Sequence, residues 1–500
     1  MQAWKFLFHL KFLVEFQVYN YPNNQDVMQK FLYFSLFMIL LAFTTLIKAQ
    51  DPMGLYYMQT IPQSSFINPA MQPRANGFFA LPSINQNFKS DVAFKNIFQD
   101  VGGEWVTPLS ERYNFSKLKR ATGKSMNFQE SVDMGLFGLG FRSGKHYFTV
   151  NFSVKNVMQT GLPYDLFTIV DDGLPDGKVF DFSTLRMKGY SYKEIALGYS
   201  REWDEKLTLG VKVKPLFGMM AAMTDLNTFK LETSRQVWNV TVSGNVSTSA
   251  PLEIVEADDP TDFPESIDAR DMESDDFISY LTSFENGGLA FDFGGVYKFT
   301  PRLTFSAALV NLGYIKWKKD LNTLSFAGTY SFEGLNLNGT DDDIEDAIED
   351  IEEDFKTLID YKVTHEKFST GLTPEFYAGA LYEVTPSVTM GFLARSMFQK
   401  SNFRQDFNFS ANVQPYSFVS VNLNYSVRPG GGNGLGTALS LLLGPLQIYA
   451  MADYIPTRYS TVNMDGDEFT MLPYARNLSV KVGLNLIFGR HGYRDRPMLE

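Results

Sequence analysis

Five hundred residues would ordinarily divide into roughly two to four domains, yet an all-β barrel of this length is a single unit, so composition has to decide. Phe (45) and Tyr (25) are abundant, charged residues make up 20%, and the mean hydropathy is -0.14, so apolar and polar residues are mixed along the chain rather than gathered into the long blocks of membrane helices. The formal net charge of -12 leaves no basic stripe for nucleic acid, and the lack of cysteine excludes disulfides, thiolate metal sites and a lipidated N-terminal cysteine.

Residues 1–27 fit no export signal and read as a mis-assigned upstream extension, because Met28 sits where a signal peptide would start. The run "FLYFSLFMILLAFTTLI", Phe31 to Ile47, follows Lys30 and leads to the small residue Ala49. A signal peptide over 28–49, cut near Ala49/Gln50, follows. The competing reading, an uncleaved anchor, has a run of only seventeen residues to work with. The next stretch, 50–76, does not alternate and is expected to sit in the barrel as an N-terminal hatch or plug.

From residue 77 onward the dominant signal is a period of two. In "KHYFTVNFSVKN", Phe148, Val150, Phe152 and Val154 point one way and Tyr147, Thr149, Asn151, Ser153 and Lys155 the other. About fourteen such segments can be counted. They start near Gly77, Met126, Lys145, Gly189, Lys206, Gly288, Leu303, Gly371, Val388, Phe403, Ser417, Gly434, Pro445 and Arg476. Tight turns are expected at 143–145, 203–205, 300–302, 385–387, 414–416 and 444–445, and between them lie mostly long loops, as at 89–125, 157–188, 223–286, 318–370 and 456–475.

Short turns at one end and long loops at the other describe a transmembrane antiparallel β-barrel of the cell outer membrane, spanning 77–488, with a periplasmic tail over 489–500. Its apolar faces meet outer-membrane lipid and its polar faces line the lumen. By alternation the lumen receives Lys155, Lys212, Lys214, Asp292, Lys298, Asn422, Asn424 and Lys481, which either line a passage or fill the barrel with ion pairs and hydrogen bonds. Tyr449, Tyr454, Tyr425, Trp317 and Trp203, near strand ends, are expected at the membrane interfaces. Soluble β-sandwich domains would explain the alternation but not the order of connections.

Two acidic stretches stand out. Over 340–360 a helix is expected in an extracellular loop, with Ile344, Ile348, Ile351 and Phe355 as its apolar stripe. Its carboxylates, Asp341, Asp342, Asp343, Glu345, Asp346, Glu349, Asp350, Glu352 and Glu353, are candidates for docking a protein partner, against the plainer reading of a solvated surface. Glu253 to Phe277 reads as a second, mobile acidic loop. The histidines, His9, His146, His365 and His491, are scattered and fit no metal or nucleophile motif, so neither cofactor nor metal is expected and an enzyme is the least favoured class.

The segment "MQTIPQSSFINPAMQPRANGFFALP", with Asn68, Pro69 and Ala70 ahead of the first alternating strand, resembles the start of the FadL and PorV barrels, and "QDPMGLYYMQ" is similar to PorP/SprF-type barrels of Bacteroidota. As a whole the chain resembles a Bacteroidota family of outer-membrane proteins with a signal peptide, this "NPA" opening and one barrel. The resemblance implies fourteen strands, Asn68, Pro69 and Ala70 as the hatch, and a link to secretion or surface assembly. Two functions follow as expectations. The first is a scaffold or accessory subunit with protein partners at its extracellular loops, and the alternative is a transporter of a hydrophobic small molecule. The large acidic loops and the tail beyond Phe488 depart from a simple FadL-like transporter.

Overall fold

The computed structural model describes residues 53–490, apart from 107, 109, 111, 256–265, 271–278, 281, 333–359, 400–401, 430–431, 456–459, 465–466 and 472–475. The barrel is made of β1 (Ala75–Ser90), β2 (Ser125–Ser143), β3 (His146–Pro163), β4 (Arg186–Glu202), β5 (Leu207–Glu232), β6 (Asn286–Lys298) and β7 (Leu303–Trp317). It continues with β8 (Glu375–Thr385), β9 (Val388–Gln399), β10 (Asn402–Tyr416), β11 (Val419–Arg428), β12 (Gly432–Leu443), β13 (Leu446–Ile455) and β14 (Asn477–Arg490). All pairings are antiparallel, and β14 pairs back onto β1, with Ala75 opposite Arg490 and Gly77 opposite Phe488. The closed ladder of fourteen strands leaves no barrel strand with a bare edge, the condition a sheet must meet to sit in hydrocarbon.

Alternation assigns the two faces correctly. Phe148 is 37% exposed on the outer surface, while Tyr147, Thr149 and Asn151 are 1%, 6% and 7% exposed inside. On β14, Val480, Val482, Leu484 and Phe488 face out, and Ser479, Lys481 and Asn485 are buried. Near the turns the outer surface carries exposed Phe141, Tyr199, Tyr297, Phe299, Tyr382 and Tyr416, the aromatic girdle of a transmembrane barrel. Trp203 and Tyr425 are also exposed, as expected, but Trp317, Tyr449 and Tyr454 are buried. Tyr449 faces the lumen by parity, and Trp317 and Tyr454 turn inward because irregularities at Asn311 (φ 60°) and at Tyr454 itself (φ 57°) shift the register of their strands.

The turns follow local chemistry. Gly144 and Gly444 take φ of 60° and 62° between the paired strands. Asp204 Oδ1 accepts the N–H groups of Lys206 and Leu207, both at 2.7 Å, which holds its carboxyl below the usual carboxylate range. One turn is displaced from expectation: Tyr416 pairs with Val419, so the chain reverses at Ser417–Phe418 and not at 414–416.

The loop end differs more. No strand start is further from expectation than that of β8, at Glu375 instead of Gly371, because Phe368–Gly371 is a separate short strand on the upper end of β7. The spans 223–286 and 318–370 are not simply loops. β5 runs on to Glu232 and pairs with Trp238–Ser249, that strand pairs with Leu321–Phe332, Leu321–Phe332 pairs with Asp360–Thr364, and Val179–Asp181 pairs with the end of β5, so the blade rising from the barrel has five strands among the described residues. The strand Trp238–Ser249 does alternate, with Trp238, Val240, Val242 and Val246 against Asn239, Thr241, Ser243, Asn245 and Ser247, but it lengthens the sheet past the barrel instead of adding a wall strand. Over β1–β3, helices Phe94–Ile97, Phe115–Thr122 and Asp165–Asp172 cap a second apolar core that includes Phe88, Leu118, Phe128 and Phe167. In the 253–277 stretch, Leu252–Val255 pairs with Ser266–Ala269. The expected upstream extension and signal peptide, residues 340–359 of the expected acidic helix with its carboxylates from Asp341 to Glu353, and most of the tail lie outside the described residues, while Asp360 opens a strand.

Candidate functional site: the filled lumen

Residues 53–74 sit inside the barrel. Met53, Leu55, Tyr56, Tyr57, Met58, Ile61, Ile67, Ala70 and Met71 form one buried cluster with lumen residues that include Val296, Val310, Leu393 and Met451. The backbone–backbone hydrogen bonds of this segment close within it, from Met58 N–H to Leu55 O through Asn68 N–H to Ser64 O and back from Arg74 N–H to Gln59 O. A chain folded on itself in this way borrows no strand pairing from the wall.

Side chains fasten it instead. Met53 N–H donates to Asp453 Oδ2 at 2.6 Å, and Gln63 and Asn485 exchange amide hydrogen bonds at 2.6 and 3.0 Å. Gln447 Nε2 donates to Thr60 O at 2.8 Å, and Tyr57 hydroxyl to Phe392 O at 2.9 Å. At the turn end Arg142 donates to Pro73 O at 2.9 Å and to Gln72 Oε1.

The "NPA" turn is the tightest point. Asn68 is fully buried, its Oδ1 accepts Ala70 N–H at 2.9 Å, and its Nδ2 donates to Tyr56 hydroxyl at 2.9 Å and to Ala307 O of β7 at 3.3 Å. Asparagine folds its side chain onto the backbone two residues on, and proline has no N–H to leave unpaired, so the sequence suits a buried turn. Pro69 and Ala70 lie against Gly210 and Gly294, where any Cβ would overlap the turn. Tyr57 lies in the same way over Gly379 and Gly391.

Above the segment, the β9–β13 side is filled by polar side chains. Asp406 accepts from Arg395 Nη2 at 2.5 Å and from Arg428 Nε at 2.5 Å, and all three are buried. Arg428 also donates to Asn477. Asn424 Nδ2 donates to Asn422 Oδ1 and to Asp453 Oδ1, both at 2.9 Å, and Asn408 Nδ2 to Asn424 Oδ1 at 2.9 Å. Asn422 and Asn424 are therefore lumen residues as expected, used in filling. The Asp406 group was not among the expected residues, although Arg395 and Asp406 are cross-strand partners on one hairpin.

The β1–β5 side keeps a cavity of about 180 Å³, bounded by Gln63, Phe66 and Ile67 of the N-terminal segment. Lys155, Lys212, Lys214 and Lys481 line it, as alternation requires. Lys155 pairs with Glu194 at 3.1 Å, and Lys214 with Asp292 at 2.5 Å. Lys298 shares the inward parity but is exposed at the turn end, outside this network. A β-bulge adjoins the cavity: Asp292 faces an irregular stretch of β7 where Asn311 takes φ of 60° and donates its N–H to Asp292 Oδ1 at 2.8 Å. His146 Nδ1 meets Tyr199 hydroxyl at 2.8 Å at the turn end, and His365 Nδ1 meets Leu321 O at 2.7 Å in the blade.

The model of a family of unknown function, DUF5723, matches residues 69–453, from Pro69 to β13. The chain belongs to the DUF5723 family. No curated protein matches it. Among solved structures, the toluene transporter TbuX of Ralstonia pickettii aligns over 86% of this chain and 94% of its own at 8% identity, with a TM-score of 0.42. The toluene transporter TodX of P. putida aligns over 86% and 95% at 10% identity and 0.37, and a Pseudomonas aeruginosa FadL homologue over 86% and 94% at 10% and 0.37. For this DUF5723 chain the architecture rests on its own closed ladder, not on these distant likenesses.

Proposed function

We propose that this DUF5723 chain is an outer-membrane passage for a small molecule, held shut by its own N-terminal segment, with Asn68, Pro69 and Ala70 as the hatch. The observation that carries this reading is the self-bonded backbone of 53–74 beside a cavity. A plug with its own internal hydrogen bonds, fastened by side chains, can shift without breaking the ladder that keeps the barrel in the membrane. The apolar outer face with its aromatic girdle, and the exported start expected at Gln50, agree with the outer membrane.

The second reading, a scaffold or accessory subunit of a surface secretion or assembly machine, draws on the blade, which gives the loop end a built surface for a partner. Native mass spectrometry of the protein extracted gently from outer membranes separates the two. A lone barrel carrying a small molecule supports the passage. A stoichiometric protein partner and no small molecule supports the scaffold and contradicts the passage.

A further inference from the structure

Two lysines on the outer surface of the barrel stand in one cross-strand row. Lys193 of β4 pairs with Phe217 of β5, and Phe217 with Gly287 of β6. Gly288 pairs with Ile315, which sets Gly287 level with Lys316 of β7. The row faces out: Glu194, Leu216 and Ile315 beside it are buried, while Leu197, Val213 and Tyr314, at the same parity, are exposed. Its height follows from the register. Leu207 is level with the girdle residue Tyr297, and β5 climbs from there to Phe217. At about 3.3 Å per residue and a tilt of about 40°, the climb is about 25 Å, the height of the apolar band of a transmembrane barrel. Lys193 and Lys316 therefore stand at the loop-end edge of the hydrocarbon, where a lysine stem lies on apolar surface and its ammonium reaches the headgroups.

Among the described residues, neither ammonium has a carboxylate in ion-pair contact. Lys193 Nζ donates to Ser283 O at 2.6 Å and lies 4.4 Å from the ring centre of Phe284, and Lys316 Nζ lies 5.6 Å from that of Tyr314. The carboxylates nearest in sequence are engaged elsewhere: Glu194 with Lys155 in the lumen at 3.1 Å, Glu285 with Lys319 at 3.5 Å and Asp320 with Arg270 at 3.1 Å. Glu366, exposed beyond the row, is followed by the exposed Lys367. Between the two lysines Gly287 leaves a notch, since a Cβ there would meet nothing within 4 Å. Phe284, 63% exposed and edge-on to Phe217 at 4.7 Å, borders it on the Lys193 side.

Three strand spacings separate the lysines, about 14 Å, a span that flexible side chains close onto one headgroup. We infer that the outer face of β4–β7 at its loop end binds a lipid whose headgroup carries phosphate, with Lys193 and Lys316 as counter-ions and the headgroup seated over Gly287. The exposed Leu289 and Leu312 below the row meet the acyl chains. A free anion would gain only two flexible point charges without the fork of arginine, whereas a lipid adds this apolar contact. The inference goes beyond the passage reading and needs only the barrel's place in the outer membrane.

The test is native mass spectrometry of the full chain, freed of co-purified lipid by detergent exchange, with lipid A, lipid A stripped of phosphate, and inorganic phosphate. Retention of lipid A, with the stripped form at least about tenfold weaker, is the expected result. Lys193→Gln with Lys316→Gln should bring lipid A down to the level of the stripped form. Lys145→Gln, which removes an exposed lysine at the turn end, should change nothing. No retention of lipid A, equal retention of both forms, or displacement by inorganic phosphate at the lipid's own concentration overturns the inference on the unmodified protein, without any variant. The same loss from Lys145→Gln as from the paired substitution overturns it as well, since the site would then be net charge alone. Heat-dependent migration checks that each variant is folded.

Discussion

Gly210 on β5 and Gly294 on β6 are register partners, and the turn at Pro69 and Ala70 occupies the recess that their missing side chains leave in the barrel wall. Two glycines opposite each other weaken a strand pair, because neither contributes cross-strand packing. Their use here is the close approach of another backbone. The turn and its seat therefore form one feature, written in two places far apart in the chain.

Gly294→Leu should displace the turn, since a side chain there overlaps Asn68, Pro69 and Ala70. The natural chain has no cysteine, so Ala70→Cys supplies a clean reporter at a position 2% exposed. A water-soluble maleimide should label that cysteine slowly in the otherwise natural barrel and at least about tenfold faster when Gly294→Leu is added, as expected for loss of burial. Equal rates would show that the turn is not seated on the glycines.

Asp406→Asn removes the charge shared by two buried arginines, which are 2% and 7% exposed. Breaking a buried ion group from one side costs about 3–5 kcal/mol. The unfolding transition in detergent, followed by heat-dependent migration, should move to clearly lower temperature. Replacing the three residues together by apolar residues of similar size should restore much of the loss.

On the outer face, Val482→Arg should destabilise the inserted barrel by roughly 2–4 kcal/mol if the position lies at the bilayer midplane, and by less toward either interface. Val482 faces out, next to the buried Lys481 in sequence. Reversible folding into lipid vesicles in denaturant measures the difference, and a cost near zero would place Val482 at an interface or away from lipid.

Pleating explains what was legible in advance. A strand half in lipid and half around a polar lumen must alternate, so residues such as Phe148 and Asn151 declared their faces, and the lysines of β3 and β5 could be placed inside. The blade strands alternate as well, Val240, Val242 and Val246 against Thr241, Ser243 and Asn245, but a period of two does not say that they extend the sheet above the barrel or which strand each one pairs with. Trp317, Tyr449 and Tyr454 were misplaced because an aromatic residue near a strand end suits either a girdle or a lumen, and only register decides. That Asp292 pairs with Lys214 and not with its register partner Lys212 is a matter of side-chain geometry that spacing does not encode.

The most direct test of the account is ion conductance through planar bilayers, comparing the mature protein with a variant lacking residues 53–74, both shown to be folded by heat-dependent migration. The account predicts a sealed mature barrel with at most brief openings, and steady conductance once the segment is gone. Steady conductance of the same size in both proteins would contradict it.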